Sequence, residues 1–286
     1  MAGTLIICGT PIGNLGDASP RLRDALDSAD VVFAEDTRRT RVLLQHLGVA
    51  LPARSYFVGN EEQRAAEIER RLAAGETVAV VTDAGMPGIA DPGLTAVRAA
   101  VRAGAVVTVV PGPSAVTAAL AVSGLPSERF VFEGFLPRKG AARRRRLAAL
   151  AEEERTIVLF AAAGRVGSDI TDLAGVLGEA RPVAVARELS KKFEEVWRGT
   201  LADAARHWSE TAPRGEFTLV VGGAGPAQPD LAAALDEVEG AIAGGTPPAT
   251  AIRQVAARRG LSRRRLYEAT QARRHGRETP DPPSIE

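Results

Sequence analysis

The chain has 286 residues, 45% of them apolar and 25% charged, with 36 Lys and Arg against 35 Asp and Glu. That is a globular composition with room for one large or two ordinary domains, and its near-zero net charge excludes a polycation that holds nucleic acid by bulk charge alone. Cys8 is the single cysteine, which excludes a disulfide framework or a thiolate metal site within one chain and fits a reducing compartment. No run of 18 apolar residues occurs and the N-terminus enters a strand without a charged leader. The expectation is therefore no membrane span, no signal peptide and a cytoplasmic location.

In chain order, Thr4–Cys8 reads as a strand, with Cys8 a small core residue rather than a nucleophile. It runs into Gly9-Thr10-Pro11-Ile12-Gly13-Asn14-Leu15-Gly16, whose glycines match neither G-x-G-x-x-G nor a P-loop, so a nicotinamide site or a nucleoside-triphosphatase is disfavoured. Pro20 opens a helix over residues 20–28. Val31–Ala34 is a second strand, followed by Glu35-Asp36-Thr37-Arg38-Arg39-Thr40 and a helix to residue 46. Residues 55–58 read as a short strand, after which Asn60 caps a helix over 61–74. The apolar run at 78–81 suits a strand buried on both faces of a parallel sheet. It ends in Asp83-Ala84-Gly85, and Gly85, Pro87, Gly88, Pro92 and Gly93 neither continue a strand nor start a long helix. In open α/β sheets, ligands bind where strands end in this way. A helix over 94–103 and the strand Val106–Val110 come next. A third loop, Pro111-Gly112-Pro113-Ser114-Ala115, then precedes a helix over 116–122, for which Ser114 also reads as a plain N-cap. The alternation predicts a mostly parallel sheet. Three neighbouring strand ends rich in Gly, Pro and Ser predict a pocket of backbone amides and small side chains with few charges.

The second half is less regular. Strands are expected over 130–133, 156–160, 183–186 and 217–221, with Glu195–Thr200 an added strand carrying a polar face. Helices are expected over 141–153, Val166–Leu177 and Leu201–Ser209. Arg138, Lys139, Arg143, Arg144, Arg145 and Arg146 place six cations in nine residues without an acid. Cations at a helix start oppose its dipole, which points to an outside anionic partner rather than to helix stability. After a linker at 226–229, helices over 232–243, 249–259 and 263–274 end the chain, the last two as a helix-turn-helix pattern. Between 249 and 275 stand eight arginines and one acid, Glu268, which suits either a bundle with solvated arginines or an RNA-docking appendage with Tyr267. Residues 276–286 read as a disordered tail.

Five motifs occur in order: Thr10-Pro11-Ile12-Gly13-Asn14-Leu15, Ala34-Glu35-Asp36-Thr37-Arg38, Asp83-Ala84-Gly85 with Pro87, Ile89 and Asp91-Pro92-Gly93, Pro111-Gly112-Pro113-Ser114-Ala115, and Phe132-Glu133-Gly134-Phe135-Leu136-Pro137. Over roughly residues 3–222 the chain closely resembles the bacterial 16S rRNA (cytidine-2′-O)-methyltransferase family, one of the tetrapyrrole-methylase-like, class III methyltransferases. The resemblance implies two α/β domains of the tetrapyrrole-methylase type, residues 1–112 and 113–225, with S-adenosylmethionine in the cleft between them. The basic helical appendage at 230–275 and the tail at 276–286 lie beyond it. It implies cofactor contacts at Pro11, Asp83, Ala84, Gly85, Ile89, Ala90, Ser114, Ala115 and Phe160, 16S rRNA of the small ribosomal subunit as partner, and a homodimer. Val185-Ala186-Arg187-Glu188-Leu189 and Gly215-Glu216-Phe217 match the family as well. Phe160-Ala161-Ala162-Ala163-Gly164-Arg165 departs from the family's aromatic-Glu-Ser/Ala-Pro-His-Arg, and Gly59 stands where a His usually precedes Asn-Glu.

The chemistry implied is methyl transfer to a ribose 2′-hydroxyl, for which no metal is required, in a cleft without strong anions beside the sulfur. Glu35 or Asp36 is the expected proton acceptor, with capping of the next helix an open alternative. Arg38, Arg39, Asn60, Arg138, Lys139, Arg143, Arg144 and Arg145 are the expected RNA contacts, with Glu61 holding Arg38 or Arg39 in an ion pair. Two rivals stand beside this. A tetrapyrrole or protein acceptor on the same fold is opposed by the 4% aromatic content. An RNA-binding relative that has lost catalysis would explain the altered run after Phe160.

Overall fold

Strands and helices alternate up to residue 224 to give two five-stranded sheets, and three helices follow among the described residues. The computed structural model describes residues 3–209, 213–224 and 231–275, in two units that divide after residue 224. The expected linker at 226–229 and tail at 276–286 lie outside the described residues.

The first sheet is built from β1 (Thr4–Cys8), β2 (Val31–Ala34), β3 (Ala53–Ser55), β4 (Thr77–Val81) and β5 (Val106–Val110), in the order β3-β2-β4-β1-β5 and parallel throughout. Helices α1 (Pro20–Asp27), α2 (Thr37–Leu47), α3 (Glu61–Ala73) and α4 (Leu94–Arg102) connect the strands. β2 is buried along its whole length, and β1 and β4 at all but their first residue. Two separate apolar clusters account for this. Leu5, Phe33, Val78 and Val80 pack with α3 and α4, while Ile6, Val32, Ala79 and Val81 pack with Leu22, Leu26 and Leu43. That two-sided burial is why these strands are continuous apolar runs.

The strand expected over 55–58 is instead the three residues Ala53–Ser55. The Asn60 side chain accepts from the Phe57 amide at 2.8 Å and donates to the Ser55 carbonyl at 3.2 Å, curling the chain out of the sheet. A short polar side chain bonded to nearby backbone competes with strand pairing. The remaining elements of this half begin and end within a residue or two of their expected bounds, as boundaries do.

α5 (Ala115–Ser123) leads into the second sheet. It comprises β6 (Phe130–Phe135), β7 (Thr156–Ala162), β8 (Pro182–Arg187), β9 (Glu195–Thr200) and β10 (Glu216–Val221), joined through α6 (Gly140–Ala151), α7 (Val166–Leu177) and α8 (Leu201–Ser209). Its order is β6-β7-β10-β8-β9, with β6 and β7 parallel and the other pairings antiparallel. α5 packs against β7, β8, β9 and β10. Ile12, from the loop after β1, joins Val116, Leu120, Val158, Ala184 and Val220 in one buried cluster. The two expected α/β halves therefore share a core and belong to one compact unit.

The second unit contains α9 (Leu231–Ala243), α10 (Pro248–Arg259) and α11 (Arg263–His275), closed around Ala234, Val238, Ala251, Ile252, Val255 and Leu266. Gly260 ends α10 in the left-handed region at φ +64°. Among the described residues, no helix is long and apolar enough to cross a membrane.

The ends of β1 and β5 meet backbone to backbone. A Cβ on Gly112 would lie 2.6 Å from the Gly9 carbonyl carbon, and one on Gly9 would lie 2.5 Å from the Gly112 nitrogen. Gly112→Ala should force the two loops apart and cost about 1–3 kcal/mol of unfolding free energy, measurable by urea denaturation.

Candidate functional site

The loops that leave β1, β4 and β5 meet at one edge of the first sheet. Chain order reverses between the neighbours β1 and β4, the arrangement that opens a crevice at strand carboxyl ends. Thr10 and Gly85 bridge the first two loops, each amide donating to the other residue's carbonyl at 2.9 and 3.2 Å. The Thr10 hydroxyl donates to the Thr82 carbonyl at 3.1 Å. A second clasp ties β2 to β4. The Asp36 amide donates to the Asp83 carboxylate at 2.9 Å, and the Asp83 amide donates back to Glu35 at 3.3 Å.

These loops form one wall of a cavity of about 450 Å³, within the range of small-molecule sites. Glu35, Arg39, Asp83, Ala84, Gly85, Ile89, Ser114 and Ala115 line it from the first sheet and α5, beside Ile12, Met86 and Asp91. Phe160 to Ala163, Ala186, Leu189 and residues 215–218 line it from the second. Gly85, at φ +87°, takes a turn that L side chains rarely adopt. Ser114 makes no side-chain cap to α5, so the capping alternative is not realised.

The cavity is more charged than its small-residue loops suggested. Four carboxyls, Glu35, Asp83, Asp91 and Glu216, face it against one guanidinium, Arg39. Arg39 lies 3.4 Å from Asp83, and Lys191 donates to Glu216 at 2.9 Å. Burial raises the Glu35 carboxyl above the usual carboxylate range, reinforced by the charge of Asp83 and opposed by the Asp83 amide and Arg39. Burial also pushes the Asp91 carboxyl up to about 7, with the negative charges of Glu35, Asp83 and Glu216 adding to the effect. A wall of this sign suits a cationic ligand and departs from the expected pocket of small side chains with few charges.

Several expected residues fall elsewhere. Pro11 lines an adjoining hollow of about 310 Å³ with Thr10, Thr82 and Lys191. Ala90 is exposed in the left-handed region at φ +63° and does not line the cavity. Asp36 is a cap: it accepts from the Arg38 amide at 2.8 Å and grips the Arg38 guanidinium at 3.1 and 2.7 Å. Arg38 holds its carboxyl well below the ordinary range, which makes it a poor proton acceptor. Glu61 pairs with neither Arg38 nor Arg39, because it accepts from the Tyr56 and Thr95 hydroxyls at 3.2 Å. Asn60 is bonded within its own turn, as described above.

The cationic run divides in two. Arg143, expected to face phosphate, is buried, donating to Asp169 at 2.8 Å, to Asp172 at 2.8 Å and to the Pro137 carbonyl at 3.0 Å. Arg146 pairs with Glu133. Arg138, Lys139, Arg144 and Arg145 are exposed, and the first two with Arg144 line an open hollow of about 640 Å³ between α6 and α7. The loop from Leu136 to Lys139 joins this surface to Phe135, which lines the cavity. In the second unit α9 supplies acids that the local count from 249 onward had left out. Glu237 pairs with Arg258 and Arg259, and Arg273 pairs with Asp236 and Glu239. Arg253, Arg263 and Arg265 remain exposed.

Asp91 and Glu216 were not among the expected site residues. Asp91 lay in plain view within the third motif, as an acid between small residues and Pro92. Glu216 reaches the cavity only through β10, which the order of the chain does not disclose.

Residues 4–205 match the family of tetrapyrrole (corrin/porphyrin) methylases. A protein of Synechocystis named ribosomal RNA small subunit methyltransferase I is 45% identical over 93% of this chain and 96% of its own length. A Mycobacterium tuberculosis protein of the same name is 47% identical over 96% of both. Among solved structures, uroporphyrin-III C-methyltransferase from Thermus thermophilus, complexed with S-adenyl homocysteine, aligns with a TM-score of 0.55 at 20% identity, over 77% of this chain and 97% of that one.

Removing Arg143 leaves the buried Asp169 with Arg165, 3.1 Å away, as its one cationic partner among the described residues. Arg143→Ala should destabilise the first unit by about 3 kcal/mol, whereas Arg145→Ala, on the exposed face, should change stability by less than about 0.5 kcal/mol, both read by chemical denaturation.

Proposed function

The chain belongs to the family of tetrapyrrole (corrin/porphyrin) methylases, and from that premise we propose that it transfers the methyl group of S-adenosylmethionine to the ribose 2′-hydroxyl of a cytidine in 16S rRNA. The observation that carries this is the pairing of opposite surfaces on one unit. An anionic, partly apolar cavity lies at the strand ends, and an exposed cationic helix start lies beside it. The names of the relatives supply the substrate class.

The cavity fits the cofactor by charge as well as by size. S-adenosylmethionine carries a sulfonium, an ammonium and one carboxylate, and the walls here offer four carboxyls against Arg39. Ala84, Gly85, Ser114 and Ala115 would hold it by close backbone approach, with Ile12, Ile89 and Phe160 giving apolar surface to its base. The bound group supplies an activated methyl on a cationic sulfur, so the protein's part is to position the acceptor oxygen and take its proton. Of the expected catalytic pair, Glu35 lies on the cavity wall with a raised pKa, whereas Asp36 is held by Arg38.

RNA would be drawn in by Arg138, Lys139, Arg144 and Arg145, with Arg38 exposed near the cavity mouth. Arg263, Arg265 and the half-exposed Tyr267 at the start of α11 are the side chains the second unit offers to it. A homodimer is the third part of the proposal. Edge strand β5 leaves Val106, Val107 and Val109 exposed, the first at 57%, and α4 adds Leu94 and Val101. An unpaired apolar edge is a liability that a second copy would cover. An rRNA substrate places the protein in the cytoplasm.

Isolated small subunits and naked 16S rRNA, incubated with methyl-labelled S-adenosylmethionine and mapped by nuclease digestion, should carry label on a cytidine ribose. Label found only on a porphyrinoid or a protein side chain would overturn the proposal. The double variant Arg144→Ala, Arg145→Ala should bind rRNA more weakly without loss of stability. The slope of log affinity against log salt should fall by about 0.7–0.9 for each phosphate contact removed.

A further inference from the structure

We propose that Asp91, rather than Glu35 or Asp36, is the group that accepts the proton of the substrate hydroxyl. The inference rests on the methyl-transfer function proposed above and names a residue for its proton step. Four carboxyls face the cavity, and three are already engaged. Asp83 accepts from the Asp36 amide and lies beside Arg39, Glu216 accepts from Lys191, and Glu35 accepts from the Asp83 amide. Asp91 lines the same cavity, half-buried, and no hydrogen bond or ion pair to its carboxyl is found among the described residues.

The backbone, not a side-chain bond, holds it there. Ala90, just before it, takes the left-handed region at φ +63°. The Gly88 amide donates to the Pro92 carbonyl at 3.2 Å, closing the loop around Asp91. A Cβ on Gly93 would fall 2.5 Å from the Gly88 nitrogen, so the closure needs glycine. Strain of this kind persists where the surrounding fold over-determines the conformation. It fixes the Asp91 Cα while leaving both carboxyl oxygens open to a ligand.

Asp91 faces charges from four places: Glu35 at the end of β2, Arg39 on α2, Asp83 at the end of β4 and Glu216 at the start of β10. Burial and the three acids bring its carboxyl up to about 7. A carboxylate that holds its proton that firmly is a stronger base than an ordinary one and is matched to neutral pH. Binding of a net cationic donor favours its ionised form, so the base is readied as the cavity fills. In the transfer, the hydroxyl oxygen forms a bond to the methyl carbon, and the sulfur keeps the electron pair of the broken S–C bond. The hydroxyl proton goes to Asp91, which later loses it to water.

The test uses the full chain with small subunits and labelled S-adenosylmethionine in single turnover, at a series of pH values. The sign follows from needing the ionised form: the wild-type rate should rise with pH to a plateau, its midpoint below the donor-free value of about 7 because the bound donor favours ionisation. Asp91→Asn should lower it by about 10²–10⁴-fold, flatten the pH profile and leave a folded protein that still binds S-adenosylhomocysteine. Asp91→Glu should recover part of the rate. Calorimetry in buffers of different ionisation enthalpy should show proton release when S-adenosylmethionine binds the wild type at neutral pH, and clearly less with Asp91→Asn. An Asp91→Asn protein within about tenfold of the wild-type rate, or one that has lost homocysteine-adduct binding, would overturn the assignment while leaving rRNA methylation intact. A wild-type protein that methylates no rRNA would sink the parent function, and the Asp91 role with it.

Discussion

Two reciprocal hydrogen bonds, Asp36 amide to Asp83 carboxylate and Asp83 amide to Glu35 carboxylate, set the geometry on which the site depends. They join the ends of β2 and β4, and the Thr10–Gly85 bridge joins β4 to β1. Three loops of separate origin thereby become one wall. Each bond is worth little by itself, about 1 kcal/mol net. Their effect is to hold charged groups close together in a half-buried place where like charges repel. That repulsion is tolerable because Arg39 and Lys191 neutralise two of the four acids, and because Asp91, its carboxyl pushed up to about 7, holds its proton more firmly than an ordinary carboxylate.

The electrostatics of the first unit are consequently divided. At the strand ends the surface is acidic. Along the exposed face of α6 it is basic and would attract a polyanion. Arg143 shows how the basic side is kept in order: its guanidinium is spent on Asp169, Asp172 and the Pro137 carbonyl, pinning α6 to α7. The neighbouring cations can then face outward without unfolding the helix start they oppose. Arg146, paired with Glu133, repeats the device at the next sheet edge.

The altered run after Phe160 gains a physical meaning from the same cavity. Ala161, Ala162 and Ala163 line it, the first of them where the resembling family carries a Glu. Small apolar side chains there leave the acids of the opposite wall as the polar groups that meet a ligand, together with Glu216 and Thr218 from β10. The aromatic contact of Phe160 with Phe132 and Phe135, at 5.0 and 5.5 Å between ring centres, keeps that side of the cavity rigid.

Local chemistry made much of this legible in the chain itself. Apolar runs with turn residues at their ends marked nearly every strand, and the Gly/Pro loops marked which strand ends line the cavity. Both signals act over a few residues, so a linear reading captures them. β3 was misplaced because one side chain, Asn60, outcompeted strand pairing. Which charges meet was decided by the tertiary structure alone. Arg143 and its acids on α7 stand 26 and 29 residues apart, the α9 acids lie outside the arginine-rich stretch they neutralise, and Glu216 arrives on the last strand of the second sheet. Ion pairs and desolvation depend on distance in space and on burial, and neither quantity exists until the sheets have closed.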